Sequence, residues 1–303
     1  MKRRIAGGLL VAVAALTISL SLSSTAPAAL VDKGLLIDVR VDLLPLGDAP
    51  ATLANTGSVV GDFSLVNQPG MPPPQVEDIA GIRGIHINKD AAWQNIYEGP
   101  VAPSSVAGNN ARSIEVWAYN PAVAGEEMLV AWARRGATGR NMSFGYGTHE
   151  SFGAVGHWGG GPDVGWNDAG GAPAGGEWHH LVYTYDPTDG PGTTRVYSDG
   201  VEENFDANGA LDAYDGLTFL IGGQHTNNAP FGPTVEGQPG GLGGGNYRGL
   251  FASVRIHDGV LSPDDIANNF AEGVPLAIPE PSTLVLSALG LLGLLAVRRR
   301  RRM

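Results

Sequence analysis

The stretch SIEVWAY, Ser113 to Tyr119, alternates apolar and polar residues. In an extended strand, Ile114, Val116 and Ala118 share one face and Glu115, Trp117 and Tyr119 the other. A helix would scatter those two sets, so the stretch reads as a strand with one face against a core. Similar segments recur downstream. LVYTY (Leu181–Tyr185) is one, and LTFLIGG (Leu217–Gly223) is a mostly apolar strand. FASVRIH (Phe251–His257) is expected to send Ala252, Val254 and Ile256 inward and Ser253, Arg255 and His257 outward. In TTRVYSDGVEENF, Asp199-Gly200 separates two alternating runs and predicts a tight hairpin, because glycine accepts a positive φ.

One helix is expected. In LSPDDIANNFAEG, Ser262 can cap the helix and Pro263 suits its first turn. Asp264 and Asp265 favour the positive helix end. Ile266 and Phe270 share a face, and Gly273 can end the helix. The 303 residues include 45 glycines, 21 prolines and no cysteine, and only 16% are charged. Short strands, frequent breakers and one small helix predict an all-β, two-sheet antiparallel sandwich. The jelly roll is one option among several sandwiches. Without cysteine, disulfides, thiolate metal sites and cysteine nucleophiles are excluded.

The two ends differ from the body. A basic start (Lys2, Arg3, Arg4) and an apolar run precede Ala26-Pro27-Ala28, so residues 1–28 read as a signal peptide cut after Ala28. At the other end, Thr283 to Val297 is uncharged and Arg298 to Arg302 follow. These 15 residues span about 22 Å as a helix, against about 30 Å of membrane hydrocarbon. Pro279, Glu280 and Pro281 lead into this run, and Arg298, Arg299 and Arg300 close it. The arrangement closely resembles the PEP-CTERM sorting signal of certain Gram-negative bacteria. That resemblance implies recognition by an exosortase, transient membrane anchorage through the tail, and delivery to the cell surface or extracellular matrix. The expected organisation is a signal peptide (1–28), one sandwich domain (29–273), a linker (274–281) and a sorting helix (282–303). Between the basic ends lie 11 basic and 30 acidic residues, a charge of −19. Such a surface repels phosphate backbones and makes nucleic acid an unexpected partner.

RSIEVWAYNP, GEWHHLVYTYD, TRVYSDGVEE, LTFLIGG and ASVRIHDGVLSPDDIANNF occur in that order. As an ordered set they resemble the LamG-like jelly roll of the concanavalin A-like lectin/glucanase superfamily. LLIDVRVDLL, NTGSVVGDF and GIRGIHINKDAAWQ resemble that family's first strands. The resemblance implies a jelly roll and a role in binding glycan or protein, with hydrolysis as the alternative. Family members often carry an acidic residue before the final strand that helps hold calcium. Ala252 and Ser253 stand there in this chain.

Retaining glycosidases need two carboxylates about 5–5.5 Å apart. The laminarinase-type Glu-x-Asp-x-x-Glu strand is absent; Glu115 is the lone acid on its strand, and Glu202 and Glu203 take opposite faces. The expectation is therefore non-catalytic. His179 and His180, being adjacent on a strand, face apart and are expected to pack and hydrogen-bond rather than chelate. Calcium is the candidate cofactor, with Asp163 and Asp168 in one loop and Asp186 and Asp189 in another as candidate ligands. The glycine-rich run FGAVGHWGGGPDVGWNDAGG supplies candidate ligand-binding residues His157, Trp158, Asp163, Trp166 and Asn167, since exposed tryptophan offers a flat apolar platform. Trp158 and Trp166 also suit a core. The glycine-rich loop QHTNNAPFGPTVEGQPGGLGGGNYRG predicts disorder and adds Asn227, Asn228 and Tyr247 as candidates. Extracellular polysaccharide or a surface protein is the expected partner; a purely structural matrix role is the remaining alternative.

Overall fold

The computed structural model describes residues 30–67, 70–89, 95–158, 162–207, 209–225 and 245–275. The expected signal peptide, Asn227, Asn228, the Pro279-Glu280-Pro281 triplet and the arginine-rich end lie outside the described residues.

Two sheets form the molecule. In the first, a nine-stranded sheet, the spatial order is Val201–Asp206, Thr193–Ser198, Trp178–Asp186, Arg112–Tyr119, Leu250–Asp258, Ile82–His86, Gln75–Ile79 and Gly47–Asp48; Leu35–Arg40 also pairs with Leu250–Asp258. The second, of eight strands, runs Val155–Gly156, Ser143–Gly145, Glu127–Ala131, Thr218–Ile221, Ile96–Val101, Phe63–Val66 and Thr52–Leu53; Gly245–Asn246 lies parallel to Glu127–Ala131. Every other named pairing is antiparallel. This is a jelly-roll sandwich.

The alternation read from SIEVWAY sets the core. Ile114, Val116 and Ala118 join Leu181, Tyr183, Val254 and Ile256 from the first sheet against Phe63, Tyr97, Phe144 and Phe219 from the second. Each fully buried large apolar side chain contributes about 1.5–3 kcal/mol. The hairpin turns at Asp199 (φ 52°) and Gly200 (φ 82°), as the Asp-Gly pair requires. The helix, α1, runs Pro263–Glu272. Ser262 Oγ accepts from Asp265 N, and the Asp265 carboxylate accepts from Ser262 N, closing both ends of a capping box.

The outward assignment of Ser253, Arg255 and His257 needs correction: all three are buried, as are Glu115 and Trp117 on the same face. The reason is that α1 and the segment around Val31–Lys33 cover this side of the first sheet. Arg255 Nη2 donates to Val31 O at 2.7 Å, His257 Nδ1 lies 2.9 Å from Lys33 O, and Asn269 Oδ1 accepts from Val31 N at 2.8 Å. Glu115 sits at the centre. Its Oε1 accepts from Arg255 Nη1 (2.8 Å) and His257 Nε2 (2.7 Å), and its Oε2 from His180 Nε2 (3.1 Å) and Asn269 Nδ2 (2.8 Å). Burial alone would raise its pKa, but the hydrogen bonds from His180 and His257 outweigh that and hold the carboxyl well below the usual range. Trp117, His180 and Phe270 stack above it. His179 points the opposite way, toward Tyr146 just after the second-sheet strand Ser143–Gly145, and its Nδ1 lies 2.7 Å from Asp199 Oδ2. The two histidines therefore face apart, as their adjacency on a strand requires.

Candidate functional site

The functional geometry lies on the outer side of the second sheet. The register there slips opposite Leu129: Phe144 pairs with Val130, but Gly145 pairs with Met128. The extra residue is a β-bulge, which re-aims side chains locally. Leu129 and Val130 both enter the core, and Met128 lines a cavity instead.

That cavity measures about 360 Å³, within the usual range of small-ligand sites. Asn141, Ser143 and Gly156 line it together with Met128. A Cβ on Gly156 would come within 2.8 Å of Ser143 Oγ, so glycine keeps the space open. Ser143 Oγ donates to Gly156 O at 3.1 Å. Asn141 Nδ2 donates to Gly156 O at 2.8 Å and to Ser143 Oγ at 3.0 Å. An amide oxygen turned toward the Gly156 carbonyl at 2.8 Å would set acceptor against acceptor, which fixes the orientation of the Asn141 amide. Asn141 Oδ1 is left buried with no hydrogen-bond partner. Such orphaned acceptors are rare in protein interiors and cost about 1–3 kcal/mol.

Beside the cavity, the fully buried Gln224 donates through Nε2 to Glu126 Oε1 at 3.0 Å, and Arg135 pairs with Glu126. The Arg135 guanidinium lies over the Trp158 ring, 4.9 Å from its centroid. Trp158 itself has φ 69°, a left-handed conformation that costs a bulky residue about 1–3 kcal/mol. Asp163 holds it there. Its Oδ1 accepts from both His157 N and Trp158 N at 2.6 Å. Beneath the cavity, His157 Nδ1 lies 3.2 Å from Asn141 O and Nε2 lies 3.4 Å from Thr194 Oγ1. Burial, with Arg112 nearby, drives the His157 pKa down to about 3, so the ring stays neutral as a support for the Asn141 backbone.

Two of the expected ligand residues, Trp158 and Asp163, therefore line one cavity. The others go elsewhere. His157 is fully buried beneath it. Trp166 is 1% exposed and packs on Phe144, so it is a core residue. Asn167 is exposed and caps its own turn through Ala169 N. Tyr247 is fully buried, its hydroxyl donating to Tyr119 O at 2.8 Å and Leu250 O at 3.1 Å. Glu126, Arg135, Asn141, Ser143 and Gln224 carried no sequence signal as a set. They are scattered along the chain, and only the sheet brings them together.

The candidate calcium ligands do not assemble. Asp168 accepts from Asn204, Asp186 from Thr188 N and Oγ1, and Asp189 pairs with Arg195. Among the described residues no group of three His, Asp or Glu is arranged to hold a metal ion. Asp186 and Asp189 share a separate cavity of about 450 Å³ beside the start of α1, where Arg195 is matched by Asp189 and Glu202.

A two-sheet antiparallel jelly roll with a small helix across its first sheet defines a concanavalin A-like sandwich. The sequence profile described as the concanavalin A-like lectin/glucanases superfamily matches residues 98–267, and the chain belongs to that superfamily. Residues 277–301 match the PEP-CTERM protein-sorting motif, which marks an exported protein with a transient C-terminal membrane anchor. Among solved structures, the chain is similar to domain 4 of the extracellular arabinanase of Geobacillus stearothermophilus, in complex with arabinotriose. The TM-score is 0.50 at 15% identity, covering 78% of this chain and 97% of that one. It is also similar to Trypanosoma rangeli sialidase (TM-score 0.47, 16% identity, 82% of this chain, 35% of that one). A third is botulinum neurotoxin type C (TM-score 0.48, 11% identity, 78% and 51%). These likenesses are likenesses of fold; the chain spans about a third of the sialidase and half of the neurotoxin chain. The comparison with curated proteins finds no match.

Proposed function

We propose that this exported protein is a non-catalytic glycan-binding module, handed by an exosortase to the cell surface or extracellular matrix of a Gram-negative-type bacterium. The observation that carries this reading is the pose of Trp158. A strained backbone, pinned by the Asp163 carboxylate, places an indole at a cavity that Glu126, Arg135 and Asp163 also line. Strain of this kind persists where the surroundings enforce it and clusters at ligand sites. An apolar ring face beside carboxylate and guanidinium groups suits a sugar, which has an apolar face and a polar edge. The structure of the arabinanase domain with arabinotriose is in keeping with such a role for this fold.

Hydrolysis fits the site less well. Glu126 is committed to Arg135 and Gln224, and one oxygen of Asp163 to two main-chain N–H groups. The carboxyl that burial raises to about 7 belongs to Glu127, which turns away from the cavity toward Asn120.

The test is electrophoresis of the purified protein through gels containing different polysaccharides, with analysis of the polymer afterwards. The expected result is selective retardation with the polymer intact. Shortened polymer would identify a hydrolase. Retardation on no gel would overturn the glycan reading in favour of a protein-binding or structural matrix role.

A further inference from the structure

We infer that one end of the sandwich, the end carrying Val201 and Phe270, rests on the lipid surface while the sorting tail anchors the chain. The helix α1 supplies the direction. It starts beside Ser113, whose Oγ accepts from Leu261 N at 2.9 Å, and its last turn lies over Trp117, on which Phe270 stacks at 6.0 Å. The chain therefore leaves the fold at the Tyr119 end of the strand Arg112–Tyr119, and Pro275, three residues past α1, is buried. Pro279 of the sorting motif is four residues beyond Pro275, and the uncharged run begins at Thr283, eight beyond. Fully extended, eight residues reach about 29 Å. The headgroup layer takes up about 5–7 Å of that. The anchored domain is thus held within about 22–24 Å of the lipid surface. Its Tyr119 end is presented to lipid at an effective concentration of millimolar order, where even a weak contact is populated.

That end carries an exposed apolar patch. Val201 is 63% and Phe270 37% exposed, and Ala267 is exposed beside them. The hairpin tip joins the three: a Cβ on Gly200 would come within 3.3 Å of Phe270 Cδ1 and 3.4 Å of Ala267 Cα. At the same end Tyr119 and Trp178 pair across adjacent strands, 5.6 Å between ring centroids, and both are partly exposed. Aromatic side chains of this kind settle at the headgroup level of a bilayer, and aliphatic ones gain by leaving water there. Zwitterionic headgroups suit the patch better than anionic ones. Glu203 and Glu272, each two residues beyond Val201 and Phe270, border it with negative charge.

The test uses the chain purified with its sorting tail and reconstituted into phosphatidylcholine vesicles that contain a lipid with a nitroxide on its headgroup. The sequence has no cysteine, so Val201→Cys or Val60→Cys carries one fluorescent label at a known place. Val60 is 94% exposed and lies at the other end of the sandwich. Its neighbour Val59 donates through N to Leu36 O at 3.0 Å, and Leu35 pairs with His257, which pairs with Ser113. The label at Val201 should be quenched at least threefold more than the label at Val60. With the label at Ala267→Cys instead, Val201→Asp should cut the quenching at least twofold. Equal quenching at Val201 and Val60 would overturn the inference and leave the patch to a protein partner. Quenching at Ala267 that ignores Val201→Asp would also overturn it, because proximity would then come from the tether alone.

Discussion

Trp158 and Trp166 stand eight residues apart in the same glycine-rich run, and the structure gives them opposite jobs. Replacing Trp158 with glycine shows the difference. Four contributions to stability change. Relief of the left-handed strain at φ 69° returns about 1–3 kcal/mol. Loss of the Arg135 stack removes about 0.5–1 kcal/mol. Added freedom in the unfolded chain costs roughly another 0.5–1 kcal/mol. The lost burial of the half-buried ring costs about 1.5–3 kcal/mol more, so Trp158→Gly should destabilise by only about 1–2 kcal/mol. A central aromatic anchor nevertheless costs about 2 kcal/mol or more of binding when removed, roughly thirtyfold in affinity. Trp166→Ala removes a 1%-exposed side chain packed on Phe144 and should destabilise by about 3–5 kcal/mol. Urea denaturation and calorimetric titration of the two variants check both halves. The reasoning is refuted if Trp158→Gly is destabilised as much as Trp166→Ala, or if it binds glycan as the natural protein does.

Other expected outcomes follow from buried charge. Glu127 Oε1 has no partner, and burial raises the carboxyl from 4.5 to about 7 against hydrogen bonds from Asn120 and the Arg248 main chain. The folded chain therefore holds an extra proton on Glu127 between those values, and the contribution of this group to stability is largest below about pH 4.5 and declines by about 3 kcal/mol as pH rises to about 7. Glu127→Gln should remove that decline, so the gap between variant and natural protein in urea should grow from pH 4.5 to pH 8; a constant gap would refute it. Glu115→Gln leaves buried Arg255 without its counter-charge and should cost about 3–5 kcal/mol at neutral pH. Because the Glu115 pKa is lowered on folding, its contribution holds above the ordinary carboxylate value and fades only as pH falls through the folded value. The destabilisation should therefore be present at pH 6 and shrink as pH falls below the ordinary carboxylate value, as thermal unfolding would show. Ile114→Ala, which empties the middle of the core, should cost about 2–5 kcal/mol by the same measurement.

The parts of the fold that obey local rules were legible in the sequence. Asp199-Gly200 forms the hairpin, Ser262 caps α1, and Ile114, Val116 and Ala118 face the core, because each depends on residues within a few positions of one another. The outer face of the final strand was misread for the opposite reason. Arg255 and His257 look like solvent-facing residues until α1 and the Val31 segment close over them, and their partner Glu115 lies 140 and 142 positions away. The site was half legible. Trp158 and Asp163 stood out as an aromatic and an acid among glycines, but so did Trp166, and only the sheet register separates them. Asn141 and Gln224 meet across 83 positions of chain, and the bulge at Leu129 that turns Met128 into the cavity leaves no mark in an alternating pattern. The candidate calcium aspartates are each spent on a turn, a side-chain amide or an arginine, a distinction that composition cannot make.

The most direct measurement is two-dimensional NMR of nitrogen-labelled protein titrated with the oligosaccharide that binds best. The account predicts that the Trp158 indole N–H and the Asn141 and Gln224 side-chain amides move together, with the Trp132 and Trp166 indoles unchanged. Shifts that instead gather around Arg195, Tyr197 and the start of α1, or that spare Trp158 and Asn141, would contradict it.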